Sequence, residues 1–328
     1  MNNRRKLIVA LGAAALTSPL SPHAQPATKL RRIGILYPRS QSDSDDLAGP
    51  FLKGLRELGR VEGSDFAIEW RYADGKTEPL PALAAELVKL NVDVIVTVGS
   101  PGVSAARQAT TTIPIVAASF ADPVGSGFAA SLARPGGNIT GLATLSEEIH
   151  AKRLELLISV VPKVTRVAWL VNPNNAVAVR IGALVEPAAQ KMGKTIVRVE
   201  ARSAGELADA FSRMARERAG ALIVSLEPTL DQLGAQIAGL ALRQRLPSMF
   251  AMRKIAEAGG LMSYGDDPAE RYRRAAVYVD KILKGAKAGD LPIEQPTEFE
   301  LVVNLVTAKA LGLKIPNSIL VQATKVIE

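Results

Sequence analysis

The side chains suited to holding a small charged or polar solute sit in short loops, each directly after an apolar run. Gly99-Ser100-Pro101-Gly102 follows Asp93–Val98 and precedes a helical segment that begins at residue 103. A strand, a glycine turn and a helix start aim backbone N–H groups at an anion, and the Ser100 hydroxyl and the open backbone at Gly102 suit a carboxylate. Ser119, Phe120 and Asp122 follow the run Ile115–Ala118; Asp122 has the chemistry to accept from an ammonium group. Asn172 and Asn175 follow Arg166–Val171, Ser225 and Glu227 follow Ala221–Val224, and Tyr264 and Asp266 end a run that starts at Gly260. Tyr37 and Phe120 are the candidate aromatic walls. Each has a plainer reading beside it. Asp before proline caps a helix, here one expected over 124–133. Asn-Pro-Asn-Asn forms turns, Glu227 is a solvated rim carboxylate, and Phe120 packs in a core.

Other chemistries are excluded by what the chain lacks. Its 328 residues contain no cysteine, which removes disulfides, thiol nucleophiles and thiolate metal sites. The two histidines, His23 and His150, cannot make a His-rich metal site, and no cofactor is expected. His150 stands at a helix start and is expected to be exposed. There is no G-x-S-x-G elbow and no phosphate-binding Walker loop. The formal charge is +8, but no basic block dominates and aromatics are only 4%, so the stacking platforms of a single-strand nucleic-acid binder are missing. The first 24 residues read as a secretory signal: Arg4-Arg5-Lys6, the apolar run Leu7–Leu16, then a Ser/Pro-rich end. That predicts export to the periplasm.

The loops are positioned by an alternating pattern. Ile33–Leu36, Phe66–Tyr72, Asp93–Val98 and Pro114–Ala118 read as strands, with helices over 46–58 and 79–90 between them. The order predicts a parallel, doubly wound sheet. The stretch 113–142 then breaks twice, and the rhythm restarts. Strands are expected at 166–171, 195–199, 221–224, 247–250 and 260–264, with helices at 149–161, 177–192, 204–216, 230–245 and 253–258. Pro268–Leu283 is helical, 293–304 is extended, and 307–312 and 319–327 are expected to be short helices. If helix 268–283 belongs to the first half, the chain crosses between two lobes three times, which makes a hinge and a closing cleft.

Four segments carry a family resemblance: residues 122–142 (DPVGSGFAASLARPGGNITGL), 171–175 (VNPNN), 263–276 (SYGDDPAERYRRAA) and 298–320 (EFELVVNLVTAKALGLKIPNSIL). From about residue 31 onward the chain resembles the substrate-binding proteins of ABC importers, in the branch related to the tryptophan and aromatic amino-acid binder. The resemblance implies the type I periplasmic-binding-protein fold: α/β, with two Rossmann-like lobes, a parallel sheet in each, and three crossings. The expected lobes are 30–143 with about 266–294, and 144–265 with about 295–328. It implies capture of an amino acid, aromatic acid or similar small solute by a monomer, delivery to ABC permease subunits, and no catalysis. A sensor for a membrane receptor and an exported α/β hydrolase are the alternatives.

Overall fold

The computed structural model describes residues 30–144 and 147–328. The expected signal segment lies outside them. Among the described residues no helix is long and apolar enough to cross a membrane.

Five apolar runs build the first sheet: β1 (Arg31–Tyr37), β2 (Phe66–Tyr72), β3 (Val94–Val98), β4 (Ile115–Ala121) and β5 (Ile139–Thr144). All pair in parallel, in the order β2-β1-β3-β4-β5. β3 is buried throughout, as a continuous β-branched run covered on both faces must be. Helix Leu80–Lys89 and helix Gly99–Ala109 cover one face. Helix Asp45–Glu57 covers the other through Leu47, Phe51 and Leu55, which recur every four residues. Beside it lies helix Pro268–Leu283, whose Tyr272, Ala275, Ala276 and Val279 enter the same core.

The second sheet holds β6 (Arg166–Val171), β7 (Thr195–Glu200), β8 (Ala221–Val224), β9 (Ser248–Phe250), β10 (Met262–Gly265), β11 (Glu300–Asn304) and β12 (Lys325–Ile327). Its order is β7-β6-β8-β9-β10-β11-β12. The chain passes between the sheets between β5 and helix Glu147–Val160, between β10 and helix Pro268–Leu283, and again before β11. The third passage is tied to the first sheet: Ala143 N–H donates to the Glu294 carbonyl at 2.8 Å and Glu294 N–H to the Gly141 carbonyl at 3.0 Å. Thr140 adds a hydroxyl bond to the Leu291 carbonyl at 2.8 Å.

Several expectations are corrected. The second sheet is mixed, because β11 returns antiparallel to β10. Residues 325–327 form a strand rather than the end of a helix; the β-branched Val-Ile pair finds backbone partners on β11. No helix forms over 124–133. Asp122 adopts φ 42° and starts a turn that closes from Ser126 N–H to the Asp122 carbonyl at 2.9 Å. Short acids tolerate that left-handed backbone because the side chain bonds locally, and here its carboxylate accepts from Gly125 N–H at 2.9 Å. The helix expected over 230–245 is two, Pro228–Gln232 and Gly234–Arg243. Helix Gly99–Ala109 starts four residues earlier than expected, so Ser100 and Gly102 lie in its first turn.

Candidate functional site

In each sheet the strand order reverses direction once: between β1 and β3 in the first, between β6 and β8 in the second. Open α/β sheets bind ligands at such points, beyond the carboxyl ends of the strands. Here the two switch points face each other. After β1 comes Arg39, and after β3 comes the start of helix Gly99–Ala109. After β6 comes Asn172, and after β8 come Ser225 and Glu227. Between them lies a cavity of about 40 Å³, lined among others by Arg39, Ser100, Ser119, Glu227, Asp231 and Arg271.

The lobes are closed over this cavity. Thr229 Oγ1 donates to the Gly75 carbonyl at 2.8 Å and Asn174 Nδ2 to Glu78 Oε1 at 3.2 Å. Lys254 of the second lobe pairs with Asp46 of the first. Arg180 donates to the Gly125 carbonyl at 2.7 Å and Ser126 Oγ at 3.0 Å, and pairs with Asp122. The ion pairs among them are partly exposed, so they are weak individually. Arg180→Ala is expected to raise the ligand dissociation rate about three- to tenfold, ~0.6–1.4 kcal/mol of lost closure. Stopped-flow measurement of ligand release checks this.

A groove of about 670 Å³ opens outward from the cavity, sharing Ser100, Asn175 and Val177 with it. Its cationic side chains are Arg107 and Arg180, both turned to the surface. The opposed buried charges lie in the inner cavity, and that is where the chemistry concentrates.

On the first-lobe side the cavity is cationic. Arg39 is 3% exposed, and its Nε and Nη1 have no hydrogen-bond partner among the described residues. Its Nη2 reaches the Tyr272 hydroxyl at 3.5 Å, and its Nη1 lies 3.5 Å from Asp46. Arg271 Nε lies 2.9 Å from Asp266, and its Nη1 donates to Ser119 Oγ at 3.2 Å. The amino end of helix Gly99–Ala109 adds its positive dipole. On the second-lobe side the cavity is acidic. Burial pushes the Glu227 carboxyl up to about 7, although Leu230 N–H and Asn172 partly offset it. Burial likewise raises Asp231 to about 6, against the pull of Arg39. The arrangement can receive an anion on one wall and a cation on the other.

A β-bulge aims part of this wall. β4 carries one residue more than its neighbours: Thr97 pairs Ala117 but Val98 pairs Ser119, and Gly141 pairs Ala117 while Ala143 pairs Phe120. The extra residue flips everything beyond it to the other face. Phe120 therefore joins the core of Ile115 and Ala117, and Ser119 turns toward Arg271.

The structure gathers most of the residues singled out in the sequence, in varied roles. Ser100, Ser119, Phe120, Asn175 and Glu227 line the cavity. Ser100 Oγ accepts from Ala121 N–H at 3.2 Å. Asn175 caps helix Ala176–Lys191 by accepting from Ala178 N–H at 3.2 Å. Asn172 Nδ2 bridges Glu227 at 3.5 Å and Thr229 at 3.3 Å. Glu227 is not on a solvated rim; it is 3% exposed and caps helix Pro228–Gln232. Asp122 engages Arg180 rather than facing the cavity. Tyr37 packs in the first-lobe core and donates to the Asp43 carbonyl at 2.8 Å, away from the cavity lining. Gly102 lets its helix approach β3: a Cβ there would fall 2.2 Å from Thr97 Oγ1. Tyr264 stacks on Phe299 at 5.7 Å, and Asp266 holds Arg271 where the chain crosses. His150 is buried against Trp169 and Arg153, not exposed. Sequence reasoning missed Arg39, Asp231, Arg271 and Tyr272, which all line the cavity. The signal for Arg39 was its place directly after β1. Arg271 was hidden among the paired charges of its helix.

Comparison with known proteins agrees with this architecture. The tyrosine-binding protein of Clostridioides difficile (strain R20291) is 25% identical over 291 residues, 87% of this chain and 82% of that protein. A Streptococcus pneumoniae ABC domain solved in complex with L-Trp is 24% identical, covers 91% of this chain and all of its own, and superimposes with a TM-score of 0.84. A conserved domain protein from Vibrio cholerae is 29% identical over the same shares, also with a TM-score of 0.84. The family model described as ABC transporter substrate binding protein matches residues 32–327. The chain belongs to the family of ABC transporter substrate-binding proteins.

Proposed function

We propose that this protein captures a small amino-acid-like solute between its lobes in the periplasm and, as a monomer, hands it unchanged to an ABC permease. The observation that carries the reading is the opposition of charge across the closed cavity: Arg39, Arg271 and a helix amino end on one wall, Glu227 and Asp231 on the other. An α-carboxylate matches the first in charge and an α-ammonium the second; the closed cavity of about 40 Å³ is smaller than an amino acid, so the lobes must part to admit one. The Clostridioides difficile relative is named for tyrosine, and the Streptococcus protein was solved with L-Trp, which supports an amino acid here. The signal-like first 24 residues support export. Ligand bound to one lobe would favour closure by its extra contacts to the other.

The test is calorimetric titration of refolded, ligand-stripped protein with the standard amino acids. Saturable binding with the ligand recovered unchanged supports capture. Consumption of the ligand favours an enzyme, and no binding by any amino acid overturns the reading. A ligand at 100 times its Kd also adds about 2.7 kcal/mol of stability.

The raised carboxyls give this binding a pH dependence. An ammonium favours the ionised forms of Glu227 and Asp231, so it lowers their raised values and binding releases protons. Below about pH 6 both are protonated in the empty cavity, and the ligand must displace those protons. Affinity is therefore expected to rise with pH and to be at least about tenfold weaker at pH 5 than at pH 7.5. Titrations at the two pH values, in buffers of differing ionisation heat, check the affinity and the proton release.

A further inference from the structure

Behind the charged cavity lies a second, smaller void of about 10 Å³. Ala121, Thr144, Ala178, Ile181 and Leu226 are walls of both, so the two spaces adjoin. The inner one is closed off by His150, Trp169 and Ser225. It has room for about one water-sized group.

Its polar groups are buried and select for a particular kind of guest. Ser225 is 2% exposed, and its hydroxyl has no hydrogen-bond partner among the described residues. A buried hydroxyl without a partner disfavours the state that contains it, so a guest that bonds to it gains what the empty protein lacks. His150 stands edge-on to Trp169 with ring centroids 5.4 Å apart. Burial, and then the neighbouring Arg153 guanidinium, hold the imidazole in its neutral form. Its Nδ1 faces Arg153 Nη1 at 3.4 Å; accepting there places the ring proton on Nε2. Among the described residues no carboxylate or ammonium lines the void, and Ala178, Ile181 and Trp169 make most of its surface apolar. A charged tip would be stripped of water there, with no charged lining group among the described residues to pair with it. A hydrocarbon tip would leave the Ser225 hydroxyl unsatisfied.

We infer that this void is the inner compartment of the ligand cavity, and that it takes the hydroxyl at the tip of the ligand's side chain, with Ser225 as the residue that selects for it. The inference rests on the amino-acid reading above and narrows it: the preferred solute is a hydroxyl-bearing amino acid. The α-carboxylate and α-ammonium stay between Arg39, Arg271, Glu227 and Asp231, and the side chain runs past Ala178 and Leu226 into the void.

The experiment uses matched pairs that differ only by a hydroxyl: L-serine with L-alanine, L-threonine with L-valine, and L-tyrosine with L-phenylalanine. Calorimetric Kd values are measured for the unmodified protein and for Ser225→Ala, with melting temperature as the folding control. Removing a hydroxyl that has no protein partner leaves the fold intact. The expected result is at least a tenfold preference for the hydroxyl member in a pair that binds, reduced to within about threefold in Ser225→Ala with the deoxy partner's affinity unchanged. Binding without preference in the unmodified protein overturns the compartment while leaving amino-acid capture standing. So does a preference that survives Ser225→Ala. Binding of other standard amino acids but of none of the six overturns the compartment and leaves amino-acid capture standing, and binding of no standard amino acid overturns both.

Discussion

Replacing Arg39 by methionine is expected to weaken ligand binding at least about a hundredfold, ~2.8 kcal/mol, while the melting temperature of the empty protein stays level or rises. The two effects separate because Arg39 is poorly served by its own protein. It is buried, yet two of its nitrogens find no hydrogen-bond partner among the described residues. Its nearest carboxylate, Asp46, is 3.5 Å away on a side chain 45% exposed to solvent. A buried cation with incomplete partners adds little stability, and an apolar side chain of similar length is often tolerated as well or better. An incoming carboxylate supplies the missing acceptors, and there the charge acts in a desolvated cavity where truncation leaves the ligand's own charge unpaired. A residue that merely held the fold would lose both properties together. Paired thermal melts and calorimetry on Arg39→Met and the parent decide it. Lost stability with unchanged affinity would assign Arg39 to the fold and remove it from the site.

Gly141→Ala is expected to cost more than about 3 kcal/mol of stability and to weaken binding through the damage to β4. Gly141 sits in β5 at φ 135°, a backbone that side chains rarely adopt, and a Cβ there would lie 2.1 Å from the Ala117 carbonyl oxygen. That oxygen belongs to backbone in the middle of a sheet, so it cannot swing aside. The neighbouring strand bulges immediately after Ala117, and the bulge turns Ser119 toward Arg271. Pushing β4 away from β5 therefore disturbs the core and the cavity wall at once. A fall in melting temperature of about 6–12 °C is expected for a lobe of this size, with a Kd rise that tracks it. By contrast, Gly137 has open space around its missing Cβ and a backbone that any residue adopts. Alanine there is expected to leave both measurements unchanged, which makes it the matched control for the Gly-rich stretch 136–141.

The sequence by itself determined most of the elements and their class, while β5, β12 and the turn after Asp122 escaped it. Runs such as Val94–Val98 and Arg166–Val171 are too apolar and too β-branched to be anything but buried strands. The spacing of Leu47, Phe51 and Leu55 specifies one helix face. Alternation of the two kinds of element dictates α/β layers, and the motifs of 122–142 and 298–320 were sufficient for the family. Loops after strands were the right places to look, since Ser100, Ser119, Asn175 and Glu227 do meet at one cavity.

Tertiary structure alone decided what those loops face. Strand order is a long-range property: nothing local to β1 and β3 says that they are neighbours and that Arg39 and Ser100 consequently share a switch point. The bulge in β4 shifts side-chain parity by one residue, so period-two reading could not tell that Phe120 enters a core while Ser119 faces Arg271. Charges on helix Pro268–Leu283 look alike in sequence, yet Arg273 pairs with Glu57 and Glu270 at the surface while Arg271 is carried into the cleft. His150 and Glu227 were read as exposed because isolated polar residues usually are. His150 is buried within its own lobe against Trp169 and Arg153, Glu227 lines the closed cavity, and burial in turn set their protonation. Local pattern fixes which residues belong to an element and which way it turns its apolar side. Where the polar residues at its end finally point depends on partners more than a hundred residues away.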